Sequence, residues 1–509
     1  MRADSVVWPK DPSAVAAMVV DDATVTDLRL DQVIAAIAGA PDEFGLTALL
    51  RHPVCDPDTV RFRQEVFADL ADIEIRTVLD DFAAGMRRVR RRTAGAARLQ
   101  HPRQRQRWHL DAAADYLVAL TTMAEALPAL TLSSRALRRW RDTVTEAVGG
   151  PVIRTLAEDV HTTQQALAAV RYSIRVLDTD TIDVGPDDSD TDYSATVSGL
   201  LARFGAGPPP PLRPQPEWPD MNQMEEQILD RVAGLFPEPF ARLAGFADRH
   251  AQFLDPAVVT FDREIHFYLR YLDYAATVSA PLSLPTVVTD GADLGAEDAF
   301  DLALAGKPGG SAQPLVCNDF TLSGPERVLV VTGPNQGGKT TFARMIGQLA
   351  YLAALGCPVP ARSARLTLPD RLTTHFERAE QATDADGRLL AELDRVRDTL
   401  DHATADSLLI LNESFSSTST ADAVRIGRRV LDKIIAAGSM AVWVTFFDEL
   451  AATRPETVSM VAATDPDDPA RRTFRIERRD ADGNAHAVVL AERYGLTYDL
   501  VTARMTACE

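Results

Sequence analysis

Lysine is almost absent from this chain of 509 residues, and cysteine and long apolar runs are scarce as well. Arginine carries nearly all of the positive charge, because the only lysines are Lys10, Lys307, Lys339 and Lys433. The four cysteines lie too far apart in the sequence to form a disulfide or zinc pattern. No apolar run reaches the roughly 18 residues of a membrane span, and the first ten residues lack a signal-peptide core. These absences predict a cytoplasmic protein without membrane contact.

The chain also lacks an excess of positive charge, because its formal net charge is −20. Binding to nucleic acid requires clustered cations, so the chain is not a general polyanion-coating protein, although a local basic surface is still allowed. The hydrophobic content of 46% is that of a folded protein with an ample core. The length indicates roughly three domains.

The hydrophobic pattern changes along the chain, from helical periodicity in the first half to alternating strand and helix patterns in the second. Apolar residues recur at intervals of three and four from about residue 29 to 175 and again from 221 to 279, which predicts helices. An acidic stretch and a proline-rich stretch lie between them and predict a linker over residues 178–220. From about residue 300, β-branched runs alternate with helical stretches, which favours a doubly wound α/β sheet. The runs are 327–332, 366–368, 407–411, 440–445 and 487–490.

The most informative segment, residues 328–341, runs from an apolar stretch into G-x-x-x-x-G-K-T and then a helical pattern. This pattern predicts a strand, a phosphate-binding loop and a helix N-terminus, and therefore an ATP site. Glycines allow backbone N–H groups to approach a phosphate, Lys339 would neutralise it, and the Thr340 hydroxyl would bind Mg²⁺. The predicted nucleotide-binding residues are Gly333, Pro334, Asn335, Gln336, Gly337, Gly338, Lys339, Thr340 and Thr341.

A second apolar run, residues 407–411, ends in Asn412 and Glu413. In P-loop enzymes such a strand, called Walker B, lies beside the phosphate loop and ends in a carboxylate that organises Mg²⁺ and one that orients water. Asn412 offers an amide oxygen without negative charge, so we expect weak support of Mg²⁺. Glu413 is the predicted general base and Lys339 the second predicted catalytic residue. The alternative is a polar strand end with a capping role.

Together these segments resemble the ATPase domain of the MutS DNA mismatch-repair family. The family's block T-G-P-N-M-G-G-K-S-T, followed by G-x-x-V-P-A, corresponds to T-G-P-N-Q-G-G-K-T-T at 332–341 and G-C-P-V-P-A at 356–361. Residues 418–420, 445–450 and 492–498 match later family blocks, and residues 49–66 resemble the start of its helical core. The resemblance covers about residues 45–500 and is strongest from 325 to 450.

The resemblance implies an α + α/β protein, in which a helical core and lever domain precedes a P-loop ATPase domain of the ABC type. The implied parts are an N-terminal segment at 1–44, the core and lever at 45–300, the ATPase domain at 301–500 and a tail at 501–509. The mismatch-reading and connector domains and most of the C-terminal dimerising region are expected to be absent. Phe44 lacks the spacing of the family's Phe-x-Glu wedge.

Four departures from the family pattern lower the expected rate of hydrolysis. Asn412 replaces the Walker B aspartate, Phe446 replaces a histidine that senses the γ-phosphate, and Gln336 replaces a methionine. Leu389 replaces the serine of the family's trans-acting G-R-S-T-F segment. Lys339 and Glu413 nevertheless indicate a functional ATPase rather than an inert domain.

One arginine cluster is the best candidate for DNA contact, namely Arg87, Arg88, Arg90, Arg91 and Arg92. Arginine suits phosphate binding, but the same cluster also fits a solvated helix face paired with nearby carboxylates. The hypothesis is therefore a MutS-like, weak Mg²⁺-dependent ATPase that acts on DNA as a nucleotide-bridged homodimer. The alternative is a nucleotide-switched scaffold for a protein partner without direct DNA binding. An ABC or SMC ATPase would carry an L-S-G-G-Q-like signature, which the sequence lacks.

Overall fold

The computed structural model describes residues 5–178, 181–187, 220–289, 291, 293–306, 315–376, 385–415, 418–451, 454–465 and 471–481. Its helices are α1 Asp22–Asp27, α2 Leu30–Ala38, α3 Leu46–Leu50, α4 Pro57–Asp69, α5 Ile73–Ala96, α6 Pro102–Ala126, α7 Arg135–Gly149, α8 Pro151–Ala168, α9 Gln223–Leu235, α10 Pro237–Arg249, α11 Pro256–Ala276, α12 Leu302–Ala305, α13 Lys339–Ala354, α14 Ala385–Asp401 and α15 Thr420–Ala437. Its strands are β1 Tyr172–Val176, β2 Ile182–Pro186, β3 Thr286–Val288, β4 Leu294–Ala299, β5 Asn318–Leu322, β6 Val328–Thr332, β7 Ser363–Thr367, β8 Leu372–Phe376, β9 Leu408–Asn412, β10 Met440–Val444, β11 Thr457–Thr464 and β12 Arg472–Arg478.

These residues form two compact units, one from residues 72–132 and 138–262 and the other from residues 5–71, 133–137 and 263–481. The predicted family boundaries at residues 44 and 300 remain predictions. The second unit joins sequence from both sides of each boundary, because residues 5–71 and 263–300 cluster with the strands that follow. The combination of helices and mixed sheets is compatible with the expected α + α/β class.

The first unit is built around two long helices, α5 with 24 residues and α6 with 25. Helix α5 begins where the Asp72 carboxylate accepts a hydrogen bond from the Glu74 amide, and α6 begins with Pro102 in its first turn. Apolar residues of α6 that recur at intervals of three and four, such as Tyr116, Leu120 and Met123, are buried. None of the described helices is both long and apolar enough to cross a membrane.

The predicted linker at 178–220 stays a prediction, because residues 179–180 and 188–219 lie outside the described part, but its described residues include a strand. Ile182–Pro186 pairs antiparallel with Tyr172–Val176, with Ile174 opposite Val184. Alternating residues such as Ile182 and Val184 suit one face of a hairpin, which the acidic composition concealed.

The second unit contains a six-stranded sheet in the order β12-β11-β6-β10-β9-β8. All pairs are parallel except β11 with β12, as expected of a doubly wound sheet. Every residue of β6, β9 and β10 is buried, which explains their continuous apolar sequences. The carboxyl ends of these parallel strands meet at one edge, where ligands bind in open α/β sheets.

A smaller sheet in the same unit has the order β3-β7-β4-β5. The predicted run 366–368 corresponds to its strand β7, whereas the predicted run 487–490 lies outside the described residues. Strands β11 and β12 were not predicted. Strand β12 has one buried residue among seven, so it lacks the apolar signal on which the prediction depended.

Candidate functional site

The phosphate loop follows β6 and is closed by residues with positive φ angles. Gly333 has φ 111°, Gln336 has φ 60° and Gly338, which precedes the first residue of α13, has φ 92°. A Cβ at Gly337 would lie 2.9 Å from the Cβ of Ala462 in the neighbouring strand β11. Glycine is therefore required at this position by packing as well as for the approach of a phosphate.

Lys339, the first residue of α13, is 4% exposed and is held by its own loop. Its Nζ donates hydrogen bonds to the carbonyls of Gly333 at 2.8 Å and Pro334 at 3.1 Å. The same Nζ lies 4.7 Å from the centre of the Phe446 ring, within the range of a cation–π contact. Burial lowers the pKa of Lys339 below its ordinary value, whereas the nearby Glu413 carboxylate opposes this shift. A bound phosphate would compete with these contacts for the ammonium.

The metal-binding candidates Thr340 and Asn412 are in direct contact. Thr340 Oγ1 donates a hydrogen bond to Asn412 Oδ1 at 3.0 Å. Strand β10 separates β9 from β6, yet Asn412 at the end of β9 still reaches the helix that follows the loop. Two adjacent neutral oxygens of this kind fit a hard cation that retains several waters, as Mg²⁺ does. The donor set therefore fits Mg²⁺ but brings no negative charge.

Replacing Asn412 with aspartate is expected to strengthen Mg²⁺ support. One added unit charge at about 4 Å from a cation contributes about 1 to 4 kcal/mol, and roughly 1.4 kcal/mol corresponds to a tenfold change in affinity. We therefore expect N412D to lower the Mg²⁺ concentration for half-maximal nucleotide binding by roughly tenfold. Titration of Mg²⁺ at fixed nucleotide measures this value, and Asn222→Asp supplies a matched control charge at the exposed N-cap of α9. An unchanged midpoint in N412D would place the metal elsewhere.

Glu413 directly follows β9 and has a φ angle of 57°, which is rare for a residue with a side chain. Its backbone amide donates to the Val444 carbonyl of β10 at 2.9 Å. The carboxylate is half-buried and lines the same cavity as the loop residues. This position suits a group that orients a water molecule at the terminal phosphate.

A cavity of about 960 Å³ opens beside the phosphate loop. Besides loop residues, its lining includes Asn318 of β5 and Phe474 of β12. Asn318 accepts a hydrogen bond from the Ile476 amide at 2.7 Å and donates to the Phe474 carbonyl at 3.3 Å, so it continues the backbone pairing of β12. Asn318 and Phe474 belong to no recognisable sequence motif, because β12 approaches the loop only through tertiary pairing.

The helix that follows the loop is anchored by buried polar contacts that were not predicted. Gln348 of α13 donates to the Leu28 carbonyl and to Asp301 Oδ1, both at 2.9 Å. Arg344, one turn earlier, donates to the Asp27 carbonyl at 3.1 Å. These contacts fix α13 relative to residues 27–28 and 301, so the N-terminus of α13 is held in place for a phosphate.

Of the residues that depart from the family pattern, some lie at the glycine-rich loop and one packs in the core. Phe446 is 42% exposed and lies over Lys339, at the predicted nucleotide site. Gln336 lies exposed in the loop with its positive φ angle. Leu389 packs instead against the core beneath β9 and β10. Phe44, which lacks the spacing of the family's wedge, stacks on His266 with ring centres 3.6 Å apart.

Most of the arginine cluster on α5 is engaged with carboxylates. Arg90 forms an ion pair and hydrogen bond with Asp262. Arg92 donates to Asp115 at 2.6 Å, and Arg88 Nε lies 3.8 Å from the same carboxylate. Arg87 and Arg91 lie exposed on the same helix. These ion pairs reduce the net positive charge on this surface of α5. They agree with the interpretation of the cluster as a solvated helix face paired with carboxylates.

Comparison with known proteins places the loop, β9 and β10 in one family domain. Residues 329–487 match the family model described as MutS domain V. The chain is 31% identical over 196 residues to the DNA mismatch repair protein MutS of Chlorobaculum tepidum, covering 38% of this chain and 22% of that protein. It is 38% identical over 138 residues to the DNA mismatch repair protein MSH3 of Phaeosphaeria nodorum, covering 27% and 12%.

A third relative is the DNA mismatch repair protein MutS 2 of Halobacterium salinarum, 35% identical over 158 residues, or 30% of this chain and 18% of that protein. The matched part thus spans about a fifth or less of the length of these relatives.

Proposed function

Because this chain belongs to the MutS family through its domain V, we propose that it is a cytoplasmic, slow Mg²⁺-dependent ATPase that acts on DNA structures in mismatch repair or recombination. The observation that carries the ATPase proposal is the contact between Thr340 and Asn412. That contact joins the two nucleotide motifs, 72 residues apart in sequence, beside one cavity that also holds Lys339 and Glu413.

In this proposal the backbone from Asn335 to Gly338 surrounds the phosphates and Lys339 neutralises their charge. Glu413 orients a water molecule and accepts its proton as the water oxygen bonds to the γ-phosphorus. The bond from that phosphorus to the β-γ bridging oxygen breaks, and ADP and phosphate leave. Thr340 and Asn412 would hold Mg²⁺, which supplies charge stabilisation to the phosphates.

Slow turnover follows from two features of the same site. Asn412 adds no charge to the metal position. The Phe446 ring lacks the hydrogen-bond donor that a histidine would present there, and it contacts the Lys339 ammonium instead. ATP would then stay bound longer than in a fast ATPase. This suits a protein whose bound nucleotide controls its contact with DNA or with a partner.

Steady-state hydrolysis across DNA types tests the proposal. We propose measuring phosphate release by the full chain alone and with plain, mismatched and branched duplexes at low salt. Turnover that rises with one of the duplexes supports a DNA-linked ATPase. The absence of ATP binding, with or without Mg²⁺, would refute the proposal as a whole.

Two observations favour the scaffold alternative, namely the net charge of −20 and the ion pairs of Arg88, Arg90 and Arg92. If DNA is bound, the affinity is expected to fall by about 10³-fold or more between 50 and 200 mM salt when six or more phosphates are contacted. Gel shifts over this range measure the slope. Failure to bind any duplex at low salt would favour the scaffold.

We also propose that Mg²⁺-ATP bridges two copies of the chain into a homodimer, as the family resemblance implies. The dimer would form only with nucleotide present. Sedimentation of the full chain with and without ATP distinguishes this from an ATP-independent assembly.

A further inference from the structure

We propose that Glu392, with His375 beside it, is a positioning residue that fixes the loop carrying Glu413. This inference rests on the proposed ATPase function and concerns the regulation of that same site. It places control of the catalytic carboxylate in helix α14, which lies outside both nucleotide motifs.

The loop after β9 is strained and needs support. Both Glu413 and Phe415 have positive φ angles, 57° and 65°, although neither is glycine. Such conformations cost free energy and persist only where neighbouring contacts hold them. The backbone amide of Glu413 donates a hydrogen bond to the carbonyl of Val444, in strand β10 of the sheet.

A second hydrogen bond to this loop comes from helix α14. Glu392 Oε1 accepts a hydrogen bond from the Phe415 amide at 2.7 Å. Glu392 is 9% exposed, so this bond is shielded from water and its acceptor is charged when ionised. The Phe415 ring is buried in the core and lies edge-on to Trp443, 6.3 Å between ring centres. The backbone amide and the ring of Phe415 are therefore both held in place, two residues after Glu413.

His375 of β8 completes the arrangement. Its Nε2 lies 3.4 Å from the same Glu392 oxygen, and the residue is 5% exposed. In the tautomer with a proton on Nε2 the ring donates to that oxygen. Strand β8 pairs with β9, with His375 opposite Leu411 and therefore one residue before Asn412. The carboxylate of Glu392 therefore lies between the loop and the strand that flanks the Walker B strand.

Loss of this acceptor is expected to move Glu413 without removing the nucleotide site. Among the residues that the structure describes, Glu392 neither lines the cavity nor takes part in the hydrogen bonds of Lys339 and of Thr340 with Asn412. A displacement of about 1 Å in a catalytic group can lower turnover by about 100-fold. The effect should therefore appear in kcat and leave nucleotide affinity nearly unchanged.

The experiment compares the wild-type full chain with Glu392→Ala, Glu392→Gln and Asp394→Ala. Glutamine keeps an oxygen that accepts from the Phe415 amide, and Asp394 is an exposed acid of the same helix paired with Arg397. We expect kcat for ATP to fall about 10- to 100-fold in E392A with a nucleotide Kd within about twofold. E392Q should recover most of the rate, and D394A should match the wild type. Hydrogen exchange of the peptide that contains Phe415 should accelerate in E392A alone.

Three outcomes would overturn the inference: a kcat within twofold of wild type in E392A, an equal loss in E392Q, or an increase in Kd as large as the fall in kcat. The exchange measurement needs no hydrolysis, so unchanged Phe415 protection in E392A refutes the inference even if turnover is too slow to measure. Failure of the proposed function would look different, because the wild-type chain would then bind no ATP.

Discussion

Lys339→Ala is expected to abolish nucleotide binding, with the Kd for ATP rising by at least about 100-fold. Lys339 is the buried cation of the phosphate loop, and removing one partner of a buried charge pair costs about 3 to 5 kcal/mol. The ammonium is already positioned at the loop by two carbonyls and the Phe446 ring. Calorimetric titration with Mg²⁺-ATP measures the change.

The chain offers a matched control for this measurement, because Lys433 is an exposed lysine on α15. Lys433→Ala removes the same functional group from the surface and should leave the Kd within about twofold. Thermal unfolding of both variants shows whether the loop still folds. Retained ATP affinity in K339A would remove the assignment of this loop as the phosphate site.

Glu413→Ala should have the second-largest effect, on turnover rather than on binding. A general base contributes about 10²- to 10⁴-fold to a rate, so kcat is expected to fall about 100-fold or more. The Kd for ATP should stay within about threefold, because the loop and Lys339 remain. Single-turnover hydrolysis with saturating protein separates chemistry from product release.

Glu449→Ala provides the comparison for E413A, since Glu449 is an exposed acid in the turn after β10. It should leave kcat unchanged. If E413A kept the wild-type rate, Glu413 would be a strand-end residue with a capping role, as the alternative interpretation holds. A rise in Kd equal to the loss in kcat would instead indicate a distorted loop.

The sequence predicted the parts of this site that depend on local chemistry. Residues 333–341 specify a loop because glycines and a helix-starting lysine act over a few neighbouring positions. The continuous apolar runs of β6, β9 and β10 specify buried parallel strands for the same local reason. The contact between Thr340 and Asn412 agrees with the pairing of the two motifs that the sequence led us to expect.

What the sequence by itself determined was therefore the glycine-rich loop after β6, the buried strand β9 and the helical character of much of the N-terminal half. Tertiary structure alone decided that Glu392 and His375 meet the Glu413 loop, that Phe474 borders the cavity beside Lys339, and that the Phe446 ring lies over the Lys339 ammonium. It also paired Arg88 and Arg92 with Asp115 of α6, and Arg90 with Asp262 of α11. The physical reason is that propensity and motif spacing act between neighbours, whereas these contacts join residues that only the packed strands and helices bring together.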